Sequence, residues 1–249
     1  MNELRAAISA PDRLIVALDM DTRAQALELV ETLGPGVNFY KVGLQLFMEA
    51  GLQIVHELGR RGKKIFLDLK IDDTPRTVGE AVRNAAIAGV ELFTLQGNAA
   101  TADAARKGRG GRAAPRFLQI TLLSSWDHTD LGEHLQTPSA SQQQMDLDEF
   151  VLRRSERILA WGCEGVIASG SSVSKLRQRF PELLIVTPGI RPSGVATDDH
   201  KRSLTPSQAI TAGADYLVVG RPVRDSDDPR ATAAAIQAEI IRTLEHRSA

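Results

Sequence analysis

The chain of 249 residues has room for one α/β barrel or two small domains. Its charge is balanced, with 30 Lys and Arg against 31 Asp and Glu for a net charge of −1. That excludes a general binder of nucleic acid or of anionic membrane surface, which needs a basic excess. A single cysteine, Cys163, excludes an intrachain disulfide and a multi-cysteine metal site.

The N-terminal stretch MNELRAAISAPDRLIVALD has no long apolar segment after a basic start, and no apolar run in the chain approaches membrane-spanning length. A soluble cytoplasmic protein without a signal peptide is the expectation. Short apolar runs then alternate with amphipathic stretches. LIVALD at 14–19 leads into TRAQALELVETLG, a helix with Asp21 or Thr22 as its cap and Gly34 at its end. FYKVGL at 39–44 leads into the helical LQLFMEAGLQIVHELGRRG, and KIFLDLK at 64–70 into TVGEAVRNAAIAG. ELFTLQG at 91–97 follows. KGRGGRAAPR, within an irregular stretch at 106–116, reads as a solvated loop before RFLQITLL at 116–123. A long irregular segment at 124–146 comes next, then the helical DEFVLRRSERILAWG and the run GVIASG at 165–170. Cys163 stands beside that apolar run, as a packed thiol does. LLIVTPGI at 183–190, an irregular stretch at 191–206, helical PSQAITAG, YLVVGRP at 216–222 and a closing helix DPRATAAAIQAEIIRTLEHR complete the chain.

The runs are short and mostly apolar on both faces, as buried parallel strands are. Eight strand-then-helix units without a composition break predict an α/β fold, a single-domain (β/α)8 TIM barrel over residues 1–249. An open doubly wound sheet is the alternative, but it usually supplies fewer strands. The stretches 124–146 and 191–206 follow the fifth and seventh strands. They therefore belong on the C-terminal face, where barrels place their sites and lids.

Charged residues in and at the ends of apolar strands require explanation. Asp19 ends the first strand, Lys41 lies in the second, and Asp68 and Lys70 end the third, with Asp72 and Asp73 just beyond. Any one of them could be a strand-end charge reaching solvent. On three consecutive strands that account fails, because burying charge is costly unless it is paired. Residues two apart on a strand share a face, so Asp68 and Lys70 point together, and a lysine among carboxylates can serve as a proton donor. On the far side, the seventh strand runs into PGIRP and the eighth into VVGRP. The loops after these strands are a frequent phosphate site in barrels. Gly220 permits close approach of backbone N–H groups, and Arg191 and Arg221 offer bidentate donors. A phosphorylated substrate with its reacting end near the first three strands is the expectation.

The segment FLDLKIDDTPRTV resembles the D-x-K-x-x-D signature of the orotidine 5′-monophosphate decarboxylase family, through Asp68, Lys70 and Asp73, followed by Pro75 and Thr77. The resemblance continues through ALD at 17–19, YKVG at 40–43, TLLSS at 121–125, TPGIRP at 187–192 and GRP at 220–222, in order along essentially the whole chain. It implies a homodimeric TIM barrel that converts orotidine 5′-monophosphate to UMP in de novo pyrimidine biosynthesis, with no metal and no cofactor. It implies Lys70 as the proton donor to C6 and Asp68 against the substrate carboxylate. Lys41 would hold Asp68 and touch the ribose, and Asp19 would bind a ribose hydroxyl. Asp73 and Thr77 would reach into the site of the other subunit. Ser124, with Ser125, would meet the pyrimidine edge, and Arg191, Gly220 and Arg221 would hold the phosphate with the loop at 191–200. Two positions depart from the family pattern. His200 stands where many bacterial members carry Gln; it remains a binding candidate whose charge varies with pH. LQGN ends the fourth strand where a His-Ala pair is common, so Gln96 is assigned no role.

Three rivals share parts of this pattern. Mg²⁺-dependent sugar-phosphate decarboxylases and aldolases of the same superfamily carry a metal-ligating Glu on the second strand; here the position is Lys41, whose ammonium repels Mg²⁺. A non-catalytic phosphate-ligand sensor has no need of clustered charges. A tryptophan- or histidine-pathway isomerase leaves DLKIDD after YKVG unexplained.

Overall fold

The computed structural model describes Arg5 and residues 8–138, 146–192 and 203–248. Eight parallel strands close on themselves in sequence order: β1 (Leu14–Ala17), β2 (Phe39–Gly43), β3 (Lys64–Ile71), β4 (Leu92–Leu95), β5 (Arg116–Ile120), β6 (Gly165–Ile167), β7 (Leu184–Thr187) and β8 (Tyr216–Val219), with β1 pairing β8. Helices alternate with the strands, which makes the fold a (β/α)8 TIM barrel. Among the described residues no helix is long and apolar enough to cross a membrane.

Alternation along the strands sorts the core into two layers. Ile15, Phe39, Phe66, Leu92, Leu118 and Leu184 belong to one cluster, inside the barrel. Leu14, Val16, Tyr40, Leu67, Phe93 and Ile185 belong to another, between barrel and helices. Both faces are therefore covered, as the apolar runs anticipated. At the N-terminal end of the barrel, the fully buried Asp215 accepts hydrogen bonds from Arg5 Nε at 2.8 Å, Arg177 Nη2 at 2.7 Å and the Ile185 N–H at 2.9 Å. This charge is fully partnered within the protein, and charge networks at that end of a barrel serve stability.

The helical expectations hold with adjustments. Thr22, not Asp21, caps Arg23–Leu33, through a capping box with Gln25. The stretch after β2 is two helices, Leu44–Ala50 and Leu52–Arg60, because Gly51 takes φ +54° and ends the first. The stretch 106–116 is irregular only in its second half: the helix Ala99–Arg109 runs into it, capped by the Asn98 side chain. That helix lies against Pro75–Ile87 at very close range, and a Cβ on Gly108 would fall onto the Gly79 carbonyl. Its packing comes from backbone approach rather than from a stripe of large apolar residues. The segment 124–146 likewise contains a helix, His128–His134, started by a capping box between Asp127 and Asp130. The helix Ser172–Arg179 between β6 and β7 also went unread in the sequence.

Candidate active site

The hydrogen-bonded ladders stop short of the apolar runs that suggested them. Asp19, Ser124, Pro188, Gly189, Gly220 and Arg221 all lie past their strands, at the C-terminal mouth. There a cavity of about 460 Å³ opens, lined by Asp19, Lys41, Asp68, Lys70, Ser124, Arg191, Gly220 and Arg221 among others. Its wall is divided. β2 and β3 contribute Lys41 and Asp68, whereas β5 to β8 contribute Ile120, Ile167, Val186 and Val218. Part of the lining therefore presents charge and part presents apolar side chains.

The charged side is a chain of alternating sign. Lys41 Nζ donates to Asp19 Oδ1 at 2.8 Å and lies 3.8 Å from Asp68 Oδ2, while Lys70 Nζ donates to Asp68 Oδ1 at 2.9 Å. Lys41 and Asp68 are buried, and their mutual pairing is what makes that burial tolerable. Lys70 is the open end, with its side chain 41% exposed. The two-residue spacing does bring Asp68 and Lys70 together, but not through regular strand geometry. The β3–β4 register shifts between Leu67 and Ile71, and Lys70 takes φ +53°. A lysine in the left-handed region is strained and persists only where surrounding contacts hold it; such residues cluster at functional sites.

After β7, Arg191 is buried at the cavity, its backbone N–H bonded to the Leu204 carbonyl at 2.9 Å. Arg221 opens the short turn Arg221–Arg224 directly after Gly220. Asp73 and Thr77 are exposed and do not line the cavity of their own chain. The Asp73 carboxylate accepts from the Thr74 N–H at 2.6 Å; this bond first, and the Thr77 hydroxyl second, hold its pKa below the ordinary carboxylate value. His200 and most of the loop 191–200 lie outside the described residues. Ser124 lines the cavity and Ser125 does not. Among the described residues no group of three or more His, Cys, Asp or Glu side chains is arranged to hold a metal ion. Cys163 is buried away from the cavity, and burial, with Glu164 nearby, pushes its thiol up to about 12.

The family model described as orotidine 5′-phosphate decarboxylase / HUMPS matches residues 12–236. The chain belongs to this family. It is 45% identical over 236 residues to the orotidine 5′-phosphate decarboxylase of Methylococcus capsulatus, covering 94% of this chain and 93% of that one. The orotidine 5′-phosphate decarboxylase of Cereibacter sphaeroides is 44% identical, with 93% and 98% covered. Among solved structures, the orotidine 5′-phosphate decarboxylase of Lactobacillus acidophilus superposes with a TM-score of 0.78 at 33% identity, over 92% of this chain and 99% of that one.

Within this family framework, the structure adds residues that the sequence reading passed over. Arg224 lines the cavity and donates from Nη1 to the Asp19 carbonyl at 2.7 Å. Its signal was its place three residues after Arg221 in GRPVR, one helical turn on. Gly43 is the other. A Cβ there would lie 2.7 Å from Asp19 Oδ1 and 2.9 Å from Lys41 Nζ, although its φ of −91° is open to any residue. The ion pair occupies the space that a side chain would fill. Gly43→Ala is therefore expected to fold normally yet push Asp19 and Lys41 apart, lowering kcat/KM by about 10²-fold, the scale of a displacement near 1 Å. Steady-state kinetics beside a thermal melt check this; full activity in the variant would mean that the pair shifts without consequence.

Proposed function

We propose that this chain decarboxylates orotidine 5′-monophosphate to UMP, without metal or cofactor, at sites completed across a homodimer. The observation that carries the reading is the alternating chain Asp19–Lys41–Asp68–Lys70 in a cavity that Arg191, Arg221 and Gly220 also line. A ligand that carries both a phosphate and a reacting carboxylate matches those two sets of groups.

In this reading the phosphate lies by Arg191, Gly220 and Arg221, where guanidinium groups and backbone N–H groups suit its oxygens. Ser124 meets the pyrimidine edge, and the apolar wall receives the face of the ring. Asp19 and Lys41 take the ribose hydroxyls. The C6 carboxylate faces Asp68. Breaking the bond from C6 to the carboxylate releases CO₂ and leaves the electron pair on C6, with no ring position to delocalise it. The Lys70 ammonium stabilises that charge as it develops and transfers its proton to C6, leaving a neutral amine that solvent reprotonates. A fixed charge aimed at the developing anion is typically worth about 10²- to 10³-fold in rate. The Lys41 ammonium, 2.8 Å from Asp19 and 3.8 Å from Asp68, occupies the ground between the carboxylates that a divalent ion would need. That supports a reaction without Mg²⁺ over the sugar-phosphate alternatives.

The dimer is supported by two features. Asp73 and Thr77 stand outside their own cavity, at the start of the helix Pro75–Ile87. On the helix Leu44–Ala50, which follows β2, Leu44 and Met48 are exposed, Met48 at 76%. Both elements follow C-terminal strand ends, so an apolar surface lies on the same side as the carboxylate that a second copy would receive.

The test is the ultraviolet absorbance change of orotidine 5′-monophosphate mixed with purified protein in excess EDTA. Rapid conversion to UMP is expected. A folded dimer that leaves the substrate untouched, but acts on sugar phosphates once Mg²⁺ is added, would overturn the reading.

A further inference from the structure

The Asp68–Lys70 pair depends on a backbone irregularity, and one side chain is tied into that irregularity. From Leu67 to Ile71, β3 advances four residues while its partner β4 advances two, from Phe93 to Leu95. The extra length bulges toward the cavity and frees the Lys70 N–H from the ladder. A backbone N–H shielded from water and left without a partner is costly, and this one, part-buried, is satisfied by a side chain. Lys70 N donates to Thr94 Oγ1 at 2.9 Å. The same hydroxyl donates its own proton to Asp68 Oδ1 at 3.1 Å, a better fit than the Leu67 carbonyl at 3.5 Å. Thr94 is fully buried and does not line the cavity.

A hydroxyl has one proton to give and lone pairs to receive, and both capacities are used here on the two residues of the candidate proton-transfer pair. We propose that Thr94 is a positioning residue: its hydroxyl holds the Lys70 backbone in its left-handed conformation and fixes the Asp68 carboxylate. Oδ1 then meets Lys70, and Oδ2 is turned toward Lys41 and the cavity. Without it, the N–H of Lys70 needs a new partner, Asp68 Oδ1 keeps only the Lys70 ammonium, and the backbone at φ +53° loses its hydrogen bond to β4. Thr94 cannot touch the substrate, so its effect is on the chemical step rather than on binding. The inference rests on the proposed reaction for its kinetic consequence, but not for its geometry.

Thr94→Val keeps the shape and removes the hydroxyl; Thr94→Ser keeps the hydroxyl. With orotidine 5′-monophosphate as substrate in EDTA, the valine variant is expected to lose about 10²-fold in kcat while KM and UMP affinity move by less than about threefold. The serine variant should recover most of kcat. Wild-type kcat in the valine variant, a loss confined to KM, or a serine variant as impaired as the valine one would each overturn the proposal. Amide hydrogen exchange separates this inference from the reading it rests on, because it needs no substrate. The Lys70 N–H should be protected in the wild type and in Thr94→Ser, and should exchange faster in Thr94→Val. Unchanged protection would overturn the geometric claim even in a fully active enzyme. If wild-type protein fails to decarboxylate the substrate while Lys70 responds as described, the reaction assignment falls and the positioning role stands. Thr94→Ala offers the same comparison should the valine side chain prevent folding.

Discussion

A Lys70→Ala protein is expected to bind orotidine 5′-monophosphate and to convert it about 10⁴-fold more slowly than the wild type. In the proposed mechanism this substitution removes two contributions at once. The first is electrostatic stabilisation of the carbanion, about 10²- to 10³-fold. The second is general-acid delivery of the proton to C6, typically about 10²- to 10⁴-fold. The two act at the same atom and are not additive, so their product is an upper range rather than a forecast. Folding should survive. Lys70 is the open end of the ion chain, 41% exposed, and Asp68 keeps the Thr94 hydroxyl at 3.1 Å and the Lys41 ammonium at 3.8 Å. Single-turnover kinetics with a separate measurement of UMP binding would resolve the point. A residual rate within tenfold of the wild type would place the proton donor elsewhere in the cavity.

The barrel was legible because most of its strands are apolar on both faces and eight of them alternate with helices, more than an open doubly wound sheet usually supplies. Strand ends were less legible. Apolar character continues through Pro188 and Gly189 after β7, and past β5 through Leu122 and Leu123, although the ladders have already ended. Those residues are the rim of the cavity, so the overshoot falls where the site is built. Helix Ala99–Arg109 escaped notice for a different reason. It packs through Gly108 and small alanines, and close backbone approach leaves little hydrophobic periodicity to read. The charged side of the site was readable because a charge inside an apolar run has few bland explanations. Its supports were not. Thr94 reads as an ordinary strand residue until the β3–β4 register break sets it beside Lys70, and Gly43 reads as a turn residue until the Asp19–Lys41 pair fills the space over it. Alternation on an ideal strand carries no sign of the positive φ at Lys70, which is a property of two strands together.

Mixing two nearly inactive proteins, Lys70→Ala and Asp73→Ala, is expected to restore activity, and the extent is set by symmetry. If Asp73 acts across the interface, each heterodimer holds one site with Lys70 from one chain and Asp73 from the other, and one site with neither. Random exchange of equal amounts makes about half of the dimers hybrid, so about a quarter of all sites become competent. If both residues act within one chain, every site in every dimer lacks one of them and mixing restores nothing. The position of Asp73 favours the first outcome. Its carboxylate is exposed outside its own cavity and held by the Thr74 N–H, which keeps it ionised to lower pH than a free aspartate. A charge so exposed contributes little to the stability of its own chain, so its ionisation matters chiefly to whatever approaches it. In the proposed dimer that partner would be the Lys70 ammonium of the other subunit, which an anionic neighbour attracts and orients. Subunit exchange must be shown independently, for example by energy transfer between labelled chains. With exchange demonstrated and activity still absent, the two residues belong to one subunit's site and the shared-site dimer is wrong.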